Sequence, residues 1–469
     1  MRIHGMTPRG AARVARSPLH EGRFGRMFRK LPAAPEYSVE VLTALAESMR
    51  EPGGATGGWN QGGAQPPDGD NPEIPSGYTY FGQFLDHDIT FDPTSRLQTS
   101  NDPDALVDFR TPRLDLDSLY GSGPFDEPFQ YDQQRDNRML LSDNGAGDVD
   151  LPRNSQGIAL IGDPRNDENV IVSGLQIVML QLHNKLADDV DADPAVPEAD
   201  RFDETRRRLR WHYQWVVVHD FLPRICPPEL ITRLLALEDG VPGWKLRFYR
   251  PTKNAYLPVE FSAAAYRFGH SMVRAAYDLN ATIGVKPIFV AGDDQPAGSD
   301  LRGGQTLLPG WTVDWARFLP IDGSAPQPSR RIDTHLSPPL FDLPRFPATQ
   351  PQSLALRNLL RGQALKLPSG QDVAKTIGER PLSGADLGGV VDPTPLWFYI
   401  LKEPELEAGN GGHRLGPVGA RIVAEVLLGL LRADPSSYLN VTPTWAPTLP
   451  GRSGHDDTFG LADLIRSTR

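Results

Sequence analysis

Residues Tyr80 to Asp88 gather an amide (Gln83), two carboxylates (Asp86, Asp88) and an imidazole (His87) into six positions of an otherwise apolar segment. If Gly77 to Ile89 is helical, Gln83, Asp86 and His87 share one face, because residues three and four apart are neighbours on a helix. Asp88 then points about 100° away from His87. The first face offers an acid/base with an amide beside it, and the second offers a lone carboxylate suited to a cation. A polar helix edge at a surface is the plainer reading. The flanking Phe81, Phe84, Leu85, Ile89 and Phe91 oppose it, since they call for burial, and a buried ionisable cluster needs partners or a function.

Four further clusters could do chemistry. Thr111 to Asp117 sets a hydroxyl (Thr111), the carbonyl of Arg113 and two carboxylates (Asp115, Asp117) at every second position. Six to eight such oxygens, with Asp88 added, suit Ca²⁺. Gly162 to Asn169 places Arg165 just ahead of a long helical stretch, where a fixed fork of donors can stabilise a developing oxyanion. Arg267 and His270 recur at helical spacing in Tyr266-Arg267-Phe268-Gly269-His270, and Gly269 lets a planar group approach the backbone. Asn358 and Arg361 share another helix face, from which an amide can orient an imidazole and a guanidinium can pair with a carboxylate.

These residues need a large scaffold to bring them together, and 469 residues supply one large domain or two to three ordinary ones. The net charge of -11, with no basic stripe, argues against nucleic acid as a partner. A lone Cys226 excludes an intrachain disulfide and any all-cysteine metal site. No run reads as a secretory signal or a membrane span, so a cytoplasmic location is expected. Residues 1–35 read as a basic extension with little to bury, and 36–469 as one domain. Helical periodicity predicts helices at Val39–Met49, Gly77–Ile89, Val170–Asp189, Asp203–His219, Pro228–Leu237, Val259–Tyr277, Gln352–Leu365 and Val418–Leu431. Leu246–Leu257 and Ile288–Gly292 are expected as short strands, Asp293–Pro296 as a surface turn, and Pro93–Pro152 and Pro404–Gly416 as loops. The class is mainly α, with the 45 Gly and 45 Pro going to long irregular connections.

The motifs together resemble the animal-type haem peroxidases of the peroxidase–cyclooxygenase superfamily, in a bacterial branch, with a catalytic domain of the lactoperoxidase and myeloperoxidase type. Phe81 to Asp88 is similar to the distal motif, Gly162 to Glu168 to the distal arginine segment, Leu182 to Ala187 follows in register, and Tyr266 to His270 is similar to the proximal motif. The resemblance spans roughly residues 75–375 in collinear order. It implies haem b, with His87 and Arg165 as the distal pair and Gln83 as the distal amide. Asp86 and Glu168 match the carboxylates that form ester links to haem methyl groups. His270 matches the iron ligand, Asn358 its hydrogen-bond partner, and Arg267 and Arg361 the arginines near the propionates. Asp88, Thr111, Arg113 (through its carbonyl), Asp115 and Asp117 match the calcium positions, Asp117 standing where mammalian members usually have Ser. His183, His212, His219, His335 and His413 lie outside the matched positions and are read as structural or surface residues.

The activity implied is reduction of H₂O₂ through a ferryl intermediate, with oxidation of halide, pseudohalide or phenolic donors. A fatty-acid dioxygenase or cyclooxygenase-like enzyme is an alternative from the same superfamily, although Arg267 stands where cyclooxygenases carry a radical-forming Tyr. A non-catalytic haem scaffold is another alternative, expected where the distal set has decayed. Asn169 occupies the position at which myeloperoxidase has a sulfonium-forming Met, so iodide, thiocyanate and bromide are expected as donors ahead of chloride.

Overall fold

The computed structural model describes residues 23–51, 69–91, 108, 110–251, 255–292, 294–344, 346, 350–388, 391–449 and 459–468. The expected N-terminal extension up to residue 22, the middle of the 51–77 loop, most of 92–109, and Asp293 of the expected turn lie outside them.

Eight helices frame the site: α1 (Val39–Ser48), α2 (Gly77–Ile89), α3 (Val170–Asp191), α4 (Arg201–Val216), α5 (Leu354–Ala364), α6 (Gly370–Ile377), α7 (Leu396–Leu406) and α8 (Pro417–Ala433). The strands are two to six residues long and form two-stranded pairs, so the fold is mainly α. One contiguous apolar core runs through all eight helices. α2 is threaded through its middle: Phe81 and Phe84 meet Tyr213 of α4 edge-on, with ring centroids 5.9 and 6.4 Å apart, and Phe81 meets Phe221 at 5.5 Å. α3 and α4 pack side by side. α3 is long and apolar enough by composition to cross a bilayer, and 72% of its most apolar stretch is buried inside the protein.

Caps explain where several helices start. Ser38, Asn169, Ser353 and Ser369 each accept a backbone N–H of the first turn of α1, α3, α5 and α6, satisfying donors that the helix itself cannot. Pro417 occupies the first turn of α8, where its missing N–H costs nothing. The expected helices at 39–49, 77–89, 170–189, 228–237, 352–365 and 418–431 are present to within two residues at each end.

The expected helix at Val259–Tyr277 is not continuous. An α turn at Val259–Ser262 gives way to a 3₁₀ segment, Ala265–His270, and then to a strand, Ala276–Asp278, paired with Val285–Pro287. Nε of Arg267 donates to the Ser262 carbonyl at 2.9 Å, the acceptor that a continuing α-helix would give to the N–H of Tyr266. The 3₁₀ geometry still stacks residues three apart, so Arg267 and His270 stay on one side. The expected helix at 203–219 becomes α4 followed by a π turn, Val217–Phe221. Of the expected strands, 246–257 contributes only Leu257–Pro258, which pairs with Phe24–Gly25, and the strand ahead of Ile288 ends at Pro287. α7 runs into the expected 404–416 loop despite Pro404 inside it. Phe24, Met27 and Phe28, within the stretch expected to bury little, are core residues.

Candidate active site

His87 sits near the C-terminal end of α2, and its side chain is buried. Its Nδ1 lies 2.8 Å from Oδ1 of Asn166, whose Nδ2 donates to Oε1 of Gln176 at 2.9 Å. In these amide orientations Asn166 presents an acceptor, so Nδ1 of His87 carries the proton and Nε2 keeps the lone pair. Burial and the nearby charge of Arg165 lower the imidazole to about 4. His87 is therefore a neutral base at pH 7, with its basic nitrogen free of protein partners among the described residues.

Arg165 is locked in place beside it. Nε and Nη2 donate to the two oxygens of Asp163 at 3.1 and 2.8 Å, Nη2 also donates to the carbonyls of His87 (3.2 Å) and Thr90, and the guanidinium stacks 4.6 Å from the Phe91 ring centroid. Asp163 is fully buried and also receives Nη2 of Arg110 at 2.6 Å. Burial would push the Asp163 carboxyl up, but the two guanidiniums outweigh it and hold the group well below the usual carboxylate range. The 3₁₀ turn Pro164–Asp167 follows and brings Arg165 and Asn166 to the same side as His87.

Gln83 lies one turn back on α2. Its Nε2 donates to Oε1 of Glu168 in a short hydrogen bond, and its Oε1 accepts from Nδ2 of Asn169 at 3.2 Å, which fixes the amide in one orientation. The carbonyl of Glu168 accepts from the N–H of Gly303 at 2.9 Å, and only glycine fits there, because a Cβ on residue 303 would stand 2.2 Å from the Asp167 carbonyl. Burial raises the Glu168 carboxyl to about 7, with Arg165 opposing the shift.

His270, on the 3₁₀ segment, lies with Nδ1 2.8 Å from Nδ2 of Asn358 on α5. For Nε2 to ligate iron, Nδ1 must carry the proton, and a half-turn of the Asn358 amide then presents Oδ1 to receive it. Burial and Arg267 lower His270 to about 3, so it is a neutral donor. Arg267 is itself lowered to about 10, by burial and by the neighbouring charge of Arg361.

The residues present fit a haem. Gln83, Asp86, Glu168, Arg267, Gly269, His270 and Arg361 all keep accessible surface, yet protein surrounds Glu168, Arg267 and His270 on every side. They therefore line an interior space. Asp86 lies within electrostatic reach of His87 and Glu168 on one side and of Arg267 on the other, so the space is shared. A Cβ on Gly269 would meet nothing within 4 Å, and Nε2 of His270 makes no hydrogen bond among the described residues. Two guanidiniums facing one interior space suit the carboxylates of a bound group.

The 111–117 loop is drawn to α2 as expected, but not as a closed cage. Asp88 is fully buried and accepts the N–H groups of Leu116 (3.1 Å) and Ser118 (3.2 Å). Thr111 donates its hydroxyl to both oxygens of Asp115 at 2.8 and 2.9 Å and its N–H to Asp117 at 3.4 Å. The side chain of Arg113 reaches Asp434 at 3.6 Å. Burial raises Asp88 and Asp115, the latter to about 6, and repulsion from neighbouring carboxylates adds to both shifts. Among the described residues no three acidic or imidazole side chains are arranged to hold a metal.

Sequence reasoning missed the residues that orient the functional ones. Asn166 and Gln176 set the His87 tautomer, Asp163 and Arg110 immobilise Arg165, and Asn169 both caps α3 through Val172 N–H (2.9 Å) and holds Gln83. Asn166 could have been found as the polar residue beside Arg165 in its motif. His183 is structural as expected, held between the Tyr120 hydroxyl and the Asn137 carbonyl, each at 2.9 Å.

Comparison with known proteins places this geometry. The animal haem peroxidase family model matches residues 111–286. Chorion peroxidase of Drosophila melanogaster is 30% identical over 295 residues, covering 59% of this chain and 34% of that protein. Human thyroid peroxidase is 31% identical over 115 residues, covering 24% of this chain and 12% of that protein. The chain spans about a third of the length of the first curated relatives it matches. In fold it is similar to peroxidase A of Dictyostelium discoideum, with a TM-score of 0.64 at 16% identity over 95% of this chain and 92% of that one. It is also similar to fatty acid alpha-dioxygenase of Arabidopsis thaliana, with a TM-score of 0.59 at 17% identity over 80% and 69%.

Proposed function

Since the chain belongs to the peroxidase–cyclooxygenase superfamily, we propose that it is a haem peroxidase that reduces H₂O₂ and oxidises iodide, thiocyanate, bromide or phenolic donors. The observation that carries this reading is the neutral His87, with the lone pair on Nε2 and the proton fixed on Nδ1 by Asn166. His270, oriented by Asn358, would hold the haem iron, Arg267 and Arg361 would hold its propionates, and Asp86 and Glu168 would link to its edge as esters. When bound, the haem supplies the two-electron redox chemistry of O–O cleavage.

The chain's own residues handle protons and charge. Nε2 of His87 takes a proton from the peroxide and returns it to the departing oxygen. Arg165, clamped by Asp163, offsets negative charge that develops at that oxygen without having to reorganise. Gln83, held at both ends, offers a fixed amide to water or a halide. A fatty-acid dioxygenase reading draws on the fold neighbours alone, and Arg267 occupies the position where cyclooxygenases carry the radical-forming Tyr. Ca²⁺ is proposed at Asp88, Thr111, Arg113, Asp115 and Asp117. The support is electrostatic: Asp88 and Asp115, their ionisation opposed by burial and by neighbouring carboxylates that include Asp117, are the arrangement that a hard cation relieves. A cytoplasmic location also remains a proposal.

The test is stopped-flow mixing of the haem-loaded protein with H₂O₂. His87→Ala should keep haem and lose roughly 10²–10⁴-fold in the rate of reaction with peroxide. A wild-type rate in that variant would overturn the assignment.

A further inference from the structure

A second cavity, of about 250 Å³, is lined by residues of α1, α5 and the start of α7, Asn358 among them and His270 not. Ala34, Leu42, Leu359, Leu396 and Trp397 make apolar walls. Asn358 closes the inner end. Its side chain is 2% exposed and commits one amide atom to His270, and among the described residues the other makes no hydrogen bond. Trp397, another wall, donates its Nε1 to the carbonyl of Arg267 at 3.2 Å. The cavity therefore touches Asn358 and Trp397, which hydrogen-bond to His270 and to the backbone of Arg267, and is lined by none of His87, Arg267 or His270.

We propose that this cavity is a binding site for a small neutral phenol, coupled to His270 through Asn358. The size sets the ring count: an apolar cavity of about 150 Å³ accepts a benzene, so about 250 Å³ takes one ring with a small substituent. The polar end sets the substituent. The free amide atom of Asn358 is an oxygen as placed and a nitrogen after the half-turn that iron ligation requires, and a hydroxyl can donate to the first or accept from the second. The charged residues of the lining, Glu36 and Lys366, are one of each sign, so the lining itself carries no excess charge to select an anion. A hydroxyl on Nδ2 of Asn358 polarises the amide and makes its oxygen a better acceptor for the Nδ1 proton of His270, which strengthens the imidazole as a donor. The coupling rests on the reading of His270 as the iron ligand, whereas binding itself does not.

Gly362 supplies the test. A Cβ added there meets only the Leu367 Cδ1 at 3.6 Å, an ordinary contact, so a larger residue fills the cavity from the α5 side without a clash at its root. Calorimetric titration of the full chain with 4-methylphenol should give one site per chain, with or without haem. Gly362→Leu and, from the rim, Ala34→Phe should each weaken it at least tenfold while melting like the parent. Gln83→Leu, in the interior space, should bind 4-methylphenol as the parent does. In the haem-loaded ferrous protein, saturating 4-methylphenol should raise the iron–histidine stretching frequency, and Gly362→Leu should abolish the change. Absent binding, or binding undiminished in both filled variants that melt normally, overturns the proposal. A chain that takes no haem but binds 4-methylphenol in a Gly362-dependent manner overturns the peroxidase reading and leaves this site standing.

Discussion

Replacing Asn166 by Ala removes the acceptor that keeps the proton on Nδ1 of His87 while leaving the imidazole in place. The two tautomers then compete, and the Nε2–H form places a proton where the base must be empty. An unmade hydrogen bond in a buried site costs about 1–3 kcal/mol. At 1.36 kcal/mol per decade this predicts a fall of between about 5-fold and about 150-fold in the rate of reaction with peroxide. That is smaller than the loss expected for His87→Ala, with haem content unchanged. Asn166→Asp separates tautomer from geometry, since a carboxylate still accepts from Nδ1 and should keep the base competent while raising the imidazole above its value of about 4. The assay is the second-order rate of the stopped-flow absorbance change across pH, normalised to bound haem. An Asn166→Ala rate within twofold of the parent, or an Asn166→Asp rate as low as that of the Ala variant, would refute the tautomer argument.

His270→Ala should lose or misligate the iron, seen as a fall in bound haem at unchanged far-UV dichroism, whereas Asn358→Leu should keep haem but shift its reduction potential. His212 accepts the N–H groups of Thr448 and Leu449 on Nε2 at 3.0 and 3.1 Å and is lowered to about 4 by burial. Its contribution is therefore complete above an unfolded value near 6.5 and is lost as pH falls towards 4, by about 3 kcal/mol in all. Melting followed from pH 7 to 4 should fall less steeply in His212→Gln, and equal slopes would exclude this source. Chelator treatment should lower the melting temperature if Ca²⁺ binds only the folded chain; an unchanged Tm and a metal analysis without calcium would remove the cation. Offered each halide with H₂O₂ and a halogen trap, the protein should iodinate and brominate well and chlorinate poorly at pH 7.

The shared face of Gln83, Asp86 and His87 was legible because one helix carries all three and periodicity alone sets their phase. His270 and Arg267 were placed on one side although the expected helix there is a 3₁₀ segment, because both geometries bring residues three apart together. The Ala-rich apolar run could not distinguish them. α7 escaped notice because it is buried on nearly every side, leaving no polar face to give a period, and Pro404 reads as a breaker. The partners that orient the site lay beyond local pattern: His87 and Asn166 are 79 positions apart, and His270 and Asn358 are 88. The Thr111–Asp117 loop shows the opposite case, in which oxygen-bearing residues at alternate positions were plain, but the rotamers that aim them depend on hydrogen bonds from Thr111, Leu116 and Ser118.

The division of charge across the interior space gives these contacts a common logic. On the His87 side the neutral imidazole and the fixed amide of Gln83 sit with Asp86 and with Glu168, whose carboxyl burial raises to about 7, and the charges of Arg165, Asp163 and Arg110 compensate one another in a chain of ion pairs. That side can therefore hold an uncharged peroxide without first expelling an ion, and its fixed dipoles act only on charge that appears during reaction. On the His270 side burial, and after it the neighbouring charge of Arg361, lowers Arg267 to about 10, and two guanidiniums near one interior space suit an anionic group. Under the proposed activity, one side of the space suits a neutral oxidant, and the other suits the acidic arms of a haem.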